Sequence, residues 1–128
     1  MRAIDTNVLV RLLTGDDAAQ RTAAEEFVAT GAWVSHLVLA ETLWVLESVY
    51  GVPHERLVAA VELLLDHETL VLEEPDVITA ALSSYRDHPK PDFSDFMILE
   101  IARKTGHLPL GTFDKALAKQ SGAQRVSG

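Results

Sequence analysis

The chain has 128 residues, 48% hydrophobic and 23% charged, values that suit one globular domain over 1–128 and exclude a disordered or fibrous class. The absence of cysteine excludes a disulfide framework, a thiolate zinc site and a cysteine nucleophile; the absence of a signal-peptide pattern, or of an apolar run near the roughly 20 residues of a membrane span, makes the cytoplasm the expected location, with no membrane partner. The net charge of −8 opposes phosphate binding, yet from Arg86 onward seven basic residues stand against five acids, so the negative charge is concentrated earlier in the chain.

Arg2 to Ile4 reads as a strand that ends at Asp5 and turns through Thr6 and Asn7 into a helix over Val8 to Leu13. Thr22 to Ala29 is expected to be helical and Ala32 to Ser35 a short strand. Leu37 to Tyr50 forms a helix apolar around much of its girth, closed by Gly51 and Pro53. The next helix, His54 to His67, carries Leu57, Val58, Val61, Leu64 and Leu65 as an amphipathic stripe. Leu70 to Leu72 is a strand candidate, followed by helices over Pro75 to Tyr85 and Pro91 to Lys104, a strand over His107 to Leu110 and a helix over Phe113 to Lys119. Short apolar strands alternating with helices imply an α/β three-layer sandwich with a short parallel sheet flanked by helices and right-handed crossovers. Ligands in such folds gather beyond the carboxyl ends of the strands.

Four acids, Asp5, Glu41, Asp95 and Asp114, lie in or against apolar runs, where a carboxylate is costly unless it holds a proton or meets a hard cation. All but Glu41 have a plain structural reading. Asp5 can cap the helix it precedes. Asp92 and Asp95 follow Pro91 with the spacing of a cap and a first-turn acid, and Asp114 suits a helix start. Glu41 has Leu37, Val38, Trp44 and Val45 one turn away, so it is expected along a buried apolar face. The collective pattern favours one divalent-cation site over four unrelated caps. Trp33, Trp44, Phe93 and Phe96 sit within apolar runs and are read as core, not as base-stacking platforms. The five histidines are scattered without the i, i+4 pairing of a helical zinc site.

The opening "DTNVLV", Glu41 within "LAETLWVLE", the block "PDFSDFMI" and the late "GTFDKAL" together resemble a PIN domain over essentially the whole chain, with the length of the VapC-type ribonuclease toxins of toxin–antitoxin pairs. That resemblance implies a metal-dependent endoribonuclease using Mg²⁺ or Mn²⁺. Asp5, Glu41, Asp95 and Asp114 match the family's acidic quartet, and Asn7 and Thr112 its accompanying polar positions. Asp5, Asp95 and Asp114 are then expected to be metal ligands, with Glu41 as an outer ligand that orients water. Asp92, which shares a helix face with Asp95 at that spacing, could support Asp95 or act as an outer ligand, and it makes the third motif ambiguous by three residues. The same resemblance implies an RNA substrate, a cognate antitoxin that docks on apolar helices and reaches the acids with a basic side chain, and a homodimer. Two other readings compete: a receiver-like phosphoacceptor domain built on Asp16 and Asp17, and a noncatalytic PIN-like interaction module.

Overall fold

In a computed structural model the chain is described over residues 1–127, and its contacts divide it into two compact units, Met1–Pro75 and Asp76 onward. The first unit holds β1 (Arg2–Ala3), α1 (Thr6–Thr14), α2 (Ala18–Val28), β2 (Ala32–Val34), α3 (His36–Ser48), α4 (His54–Leu65) and β3 (Leu70–Leu72). The second holds α5 (Pro75–Asp87), whose first residue closes the first unit, then α6 (Phe93–Lys104), β4 (Leu110–Thr112), α7 (Lys115–Ala118) and β5 (Ala123–Arg125). The α/β class expected from the alternating pattern is what the structure has.

The three strands of the first unit run parallel in the order β1-β2-β3, with Arg2 opposite Ala32 and Ala32 opposite Leu70. Parallel pairing places the ends of all three strands at one edge, where Asp5, His36 and Glu73 follow in turn. Along β2 and β3 the pleat alternates: Ala32, Val34, Leu70 and Leu72 are buried, whereas Trp33 and Val71 are exposed. The core beneath is made by Leu9, Leu39, Leu43, Leu57 and Val61 from α1, α3 and α4.

The helix ends follow the local chemistry. Asp5 accepts from the N–H of Val8 at 3.1 Å, and Gly15 ends α1 in the left-handed conformation, φ 62°, that favours glycine. Asp17 caps α2 by accepting from Gln20 N–H, so this helix starts at Ala18, four residues before the expected Thr22. Ser35 caps α3, and Glu73 Oε1 accepts the His36 N–H at 2.8 Å.

In the second unit Tyr85 of α5 meets Phe93 and Phe96 of α6 edge to face, with ring centroids 5.7 and 6.4 Å apart, a geometry that adds to simple burial. The late strand lies further on than expected. Pro109 has no N–H to give a ladder, and pairing begins at Leu110, whose N–H reaches Gly122 O at 2.8 Å. Its parallel partner β5 was not foreseen from the sequence, and the two form a separate ladder with Leu110 opposite Ala123. Among the described residues no helix is long and apolar enough to cross a membrane.

Phe96 is 1% exposed, so Phe96→Ala should cost about 3–5 kcal/mol of stability, read as a lower urea midpoint at unchanged slope. A loss below about 1 kcal/mol would show that the aromatic cluster does not anchor α6.

Candidate active site

The sequence acids fall in both units, and each set is built by its own local structure. In the first unit Asp5 is exposed at the carboxyl end of β1 and, through its bond to Val8 N–H, performs the capping role as well. The adjacent Thr6 hydroxyl donates to Glu41 Oε1. One side-chain hydrogen bond thereby ties the start of α1 to the middle of α3, and it holds Glu41 beside the residue that follows Asp5. Asn7 is exposed in the first turn of the same helix. Thr6 was not singled out as a site residue from sequence, although a hydroxyl directly after the acid was the available signal.

Burial at Glu41 differs from expectation. Leu39, Thr42, Leu43 and Leu46 form the covered face of α3, while Glu41 is exposed together with Leu37 and Trp44, which are 77% and 63% exposed. A helix apolar nearly all round does not reveal which stripe faces the core. Trp44, and to a lesser degree Trp33, therefore stand outside the core that their apolar neighbours suggested, whereas Phe93 and Phe96 lie inside it.

In the second unit Asp92 occupies the cap position of α6 without making a side-chain cap bond, and Asp95 follows in the first turn, partly buried. Asp114 caps α7 by accepting from Leu117 N–H at 2.9 Å, and its own N–H donates to Thr112 Oγ1 at 3.0 Å. Thr112 thus fixes the backbone from which Asp114 projects. Burial, and then the negative charges of Asp92 and Asp114, hold the Asp95 carboxyl above its ordinary range, partly opposed by a backbone hydrogen bond at Asp92. Of the sequence acids, Asp5, Glu41, Asp92 and Asp114 are exposed, and Asp95 alone combines partial burial with neighbouring negative charge.

The family model of the PIN domain matches residues 3–123. The chain belongs to the PIN domain family. The crystal structure of Mycobacterium tuberculosis VapC20, described as a sarcin–ricin loop cleaving toxin, is similar to this PIN domain at 22% identity over 97% of this chain and 98% of that one, with a TM-score of 0.44. A search of curated proteins gave no match.

Among the described residues no group of three or more Asp, Glu or His side chains is arranged to hold a metal ion by itself. A closed protein cage is therefore not what the PIN domain presents. Magnesium rarely needs one, because it keeps waters and takes one or two carboxylates together with substrate phosphate. The donor set suits that mode: oxygen ligands, no thiolate, and an aspartate whose ionised form is disfavoured by burial and then by its neighbours.

The sign of the pH effect follows from Asp95. Its carboxyl ionises at higher pH in the folded chain than in the unfolded one, so the repulsive penalty is present above the folded pKa and is relieved as pH falls through it. Asp95→Asn should accordingly leave the melting temperature in chelator equal to or above that of the parent. On the metal-dependent reading proposed below, saturating Mg²⁺ should stabilise the parent by about 2.7 kcal/mol at a hundredfold excess over Kd, read as a higher melting temperature, and leave the variant's unchanged. An equal Mg²⁺ shift in both proteins would remove Asp95 from the ligand set.

Proposed function

We propose that this PIN domain is a divalent-metal-dependent endoribonuclease, the toxin component of a type II toxin–antitoxin pair, acting in the cytoplasm. The observation that carries the reading is the crowding of Asp92 and Asp114 around Asp95, within a family match that spans both units. The two units are taken as one nuclease domain over 1–128 whose acids serve one reaction.

Asp5, Asp95 and Asp114 are assigned as the residues that would hold Mg²⁺ or Mn²⁺, with Asp92 supporting Asp95. The ion, when bound, supplies positive charge for the scissile phosphate and lowers the cost of ionising the attacking water. Thr6 holds the Glu41 carboxylate in one orientation, from which it can accept a proton from that water or align it. Asn7 offers amide donors for phosphate oxygen, and Thr112 fixes the backbone of Asp114. Hydrolysis places the water oxygen on phosphorus, breaks the bond to the leaving ribose oxygen and returns a proton to that oxygen.

For the antitoxin we assign the apolar groove of about 600 Å³ among α1, α3 and α4, which includes Leu13, Leu46, Tyr50, Ala60 and Leu63. Leu63 is 60% exposed there, unusual for so large an apolar side chain on a wall already shaped as a concavity. The exposed Leu37 and Trp44 supply surface for a homodimer.

Asp95→Asn and Asp5→Asn should each lower Mg²⁺-dependent cleavage of a panel of structured RNAs by at least about a hundredfold, the scale on which a lost metal contact acts, without loss of folding. Chelator should abolish cleavage by the parent. Cleavage of equal rate by parent and variants would trace the activity to a contaminating nuclease.

A further inference from the structure

A second feature of the first unit goes unused by this mechanism. Between α1 and α2 lies a cleft of about 390 Å³ with Asp5 and Asn7 on its lining, inside the roughly 300–1,000 Å³ range of ligand sites. Val8, Ala23, Ala24 and Phe27 give it an apolar wall. The Arg2 guanidinium carbon stands 3.7 Å from the Phe27 ring centroid, and Arg2 also donates to Phe27 O at 3.3 Å, so that ring is held in place.

The polar end of the cleft is held just as firmly. Arg11 Nε donates to Gln20 Oε1 at 2.6 Å. Because arginine has donors and no acceptor, the Gln20 atom facing it is the oxygen, and the amide's two N–H donors are turned the other way. Among the described residues no hydrogen bond engages them. Arg11 is fixed in turn: its Nη1 donates to Asp16 Oδ1 at 3.1 Å and to the Tyr50 hydroxyl at 3.3 Å. Tyr50 and Thr14 donate to the same Asp16 carboxylate at 2.6 and 3.0 Å. Those hydrogen bonds, with Tyr50 first and Thr14 next, hold Asp16 below its ordinary range, so the network stays charged around neutral pH.

We infer that this cleft is a nucleobase subsite beside the scissile phosphate, in which Gln20, restricted to donating, selects bases with a keto oxygen at pyrimidine C4 or purine C6, uracil and guanine, over cytosine and adenine, which carry an amino group there. The inference rests on the ribonuclease reading above. The ligand is a base and not a phosphate because the cleft's cation, Arg11, is already paired with Asp16. An apolar wall suits a flat ring. Uracil O4 and guanine O6 accept hydrogen bonds where cytosine N4 and adenine N6 donate them, and a donor set against a donor leaves both unpaired.

Binding of UMP, CMP, GMP and AMP to the full chain in chelator, followed by NMR of the Gln20 side-chain amide and by calorimetry, tests this without requiring turnover. Comparison within each ring size cancels stacking. UMP should bind on the order of tenfold tighter than CMP, and GMP than AMP, the scale of one good base-edge contact. Gln20→Glu, at an exposed position where folding is not at stake, keeps the bond to Arg11 but offers acceptors alone, so both orders should reverse. No binding by any of the four, equal binding within each pair, or an order unchanged by Gln20→Glu would overturn the subsite. Mg²⁺-dependent cleavage of short RNAs with base choice unaffected by Gln20→Glu would overturn it too, and leave the ribonuclease standing. Retained keto preference in binding without any cleavage would support the subsite and overturn the ribonuclease.

Discussion

Three negative side chains, Asp92, Asp95 and Asp114, influence one another in the second unit, and Asp95 cannot move away from the repulsion. Its helix is pinned by Phe93 and Phe96 against Tyr85, while Asp114 is set by its bond to Leu117 N–H and by Thr112 beneath it. Packing energy from the aromatic cluster therefore maintains an electrostatic cost, the usual arrangement where a site is prepared for a missing charge. On the proposed metal-dependent reading, a divalent cation would turn that cost into affinity, since each carboxylate that repelled its neighbour would attract the ion.

The first unit prepares a different surface. A single helix, α1, is capped by Asp5, carries Asn7 in its first turn and Arg11 one turn later on the same face. The Thr6 bond to Glu41 fastens that helix to α3, and the Arg11, Asp16 and Tyr50 links fasten its other end to the residues that close α3. Cap carboxylate, amide and guanidinium are held on one rigid element, and precision of this kind is what positions substrate in hydrolytic sites. The receiver-like role once open to Asp16 and Asp17 yields to structural duties: one carboxylate anchors the Arg11 network and the other caps α2.

Much of this was readable in the residues, and the failures are physical. Strand β3 falls on Leu70 to Leu72 as expected, because a three-residue apolar run between turn residues has little else to become. Asp5, Asp92, Asp95 and Asp114 fall at the strand end and helix starts where the sequence put them, while Glu41 lies in the middle of α3. The buried face of α3 could not be read, since apolar residues occupy nearly every direction around it and only packing chooses Leu39, Leu43 and Leu46 over Leu37 and Trp44. Strand β5 has the sequence Ala-Gln-Arg and no apolar alternation; backbone bonds to β4 create it. The link from Tyr50 to Asp16 joins positions 34 apart, and no local pattern encodes such a contact.

Partial burial and then the neighbouring carboxylates of Asp92 and Asp114 disfavour ionisation of Asp95, a cost that the proposed cation would relieve. Carbon-13 NMR titration of the Asp95 side-chain carboxyl, with chelator and then with Mg²⁺, measures this directly. The account predicts a metal-free midpoint above the usual aspartate value of about 3.9, moving downward when Mg²⁺ is present. A metal-free midpoint at or below the usual value, indifferent to Mg²⁺, would contradict it.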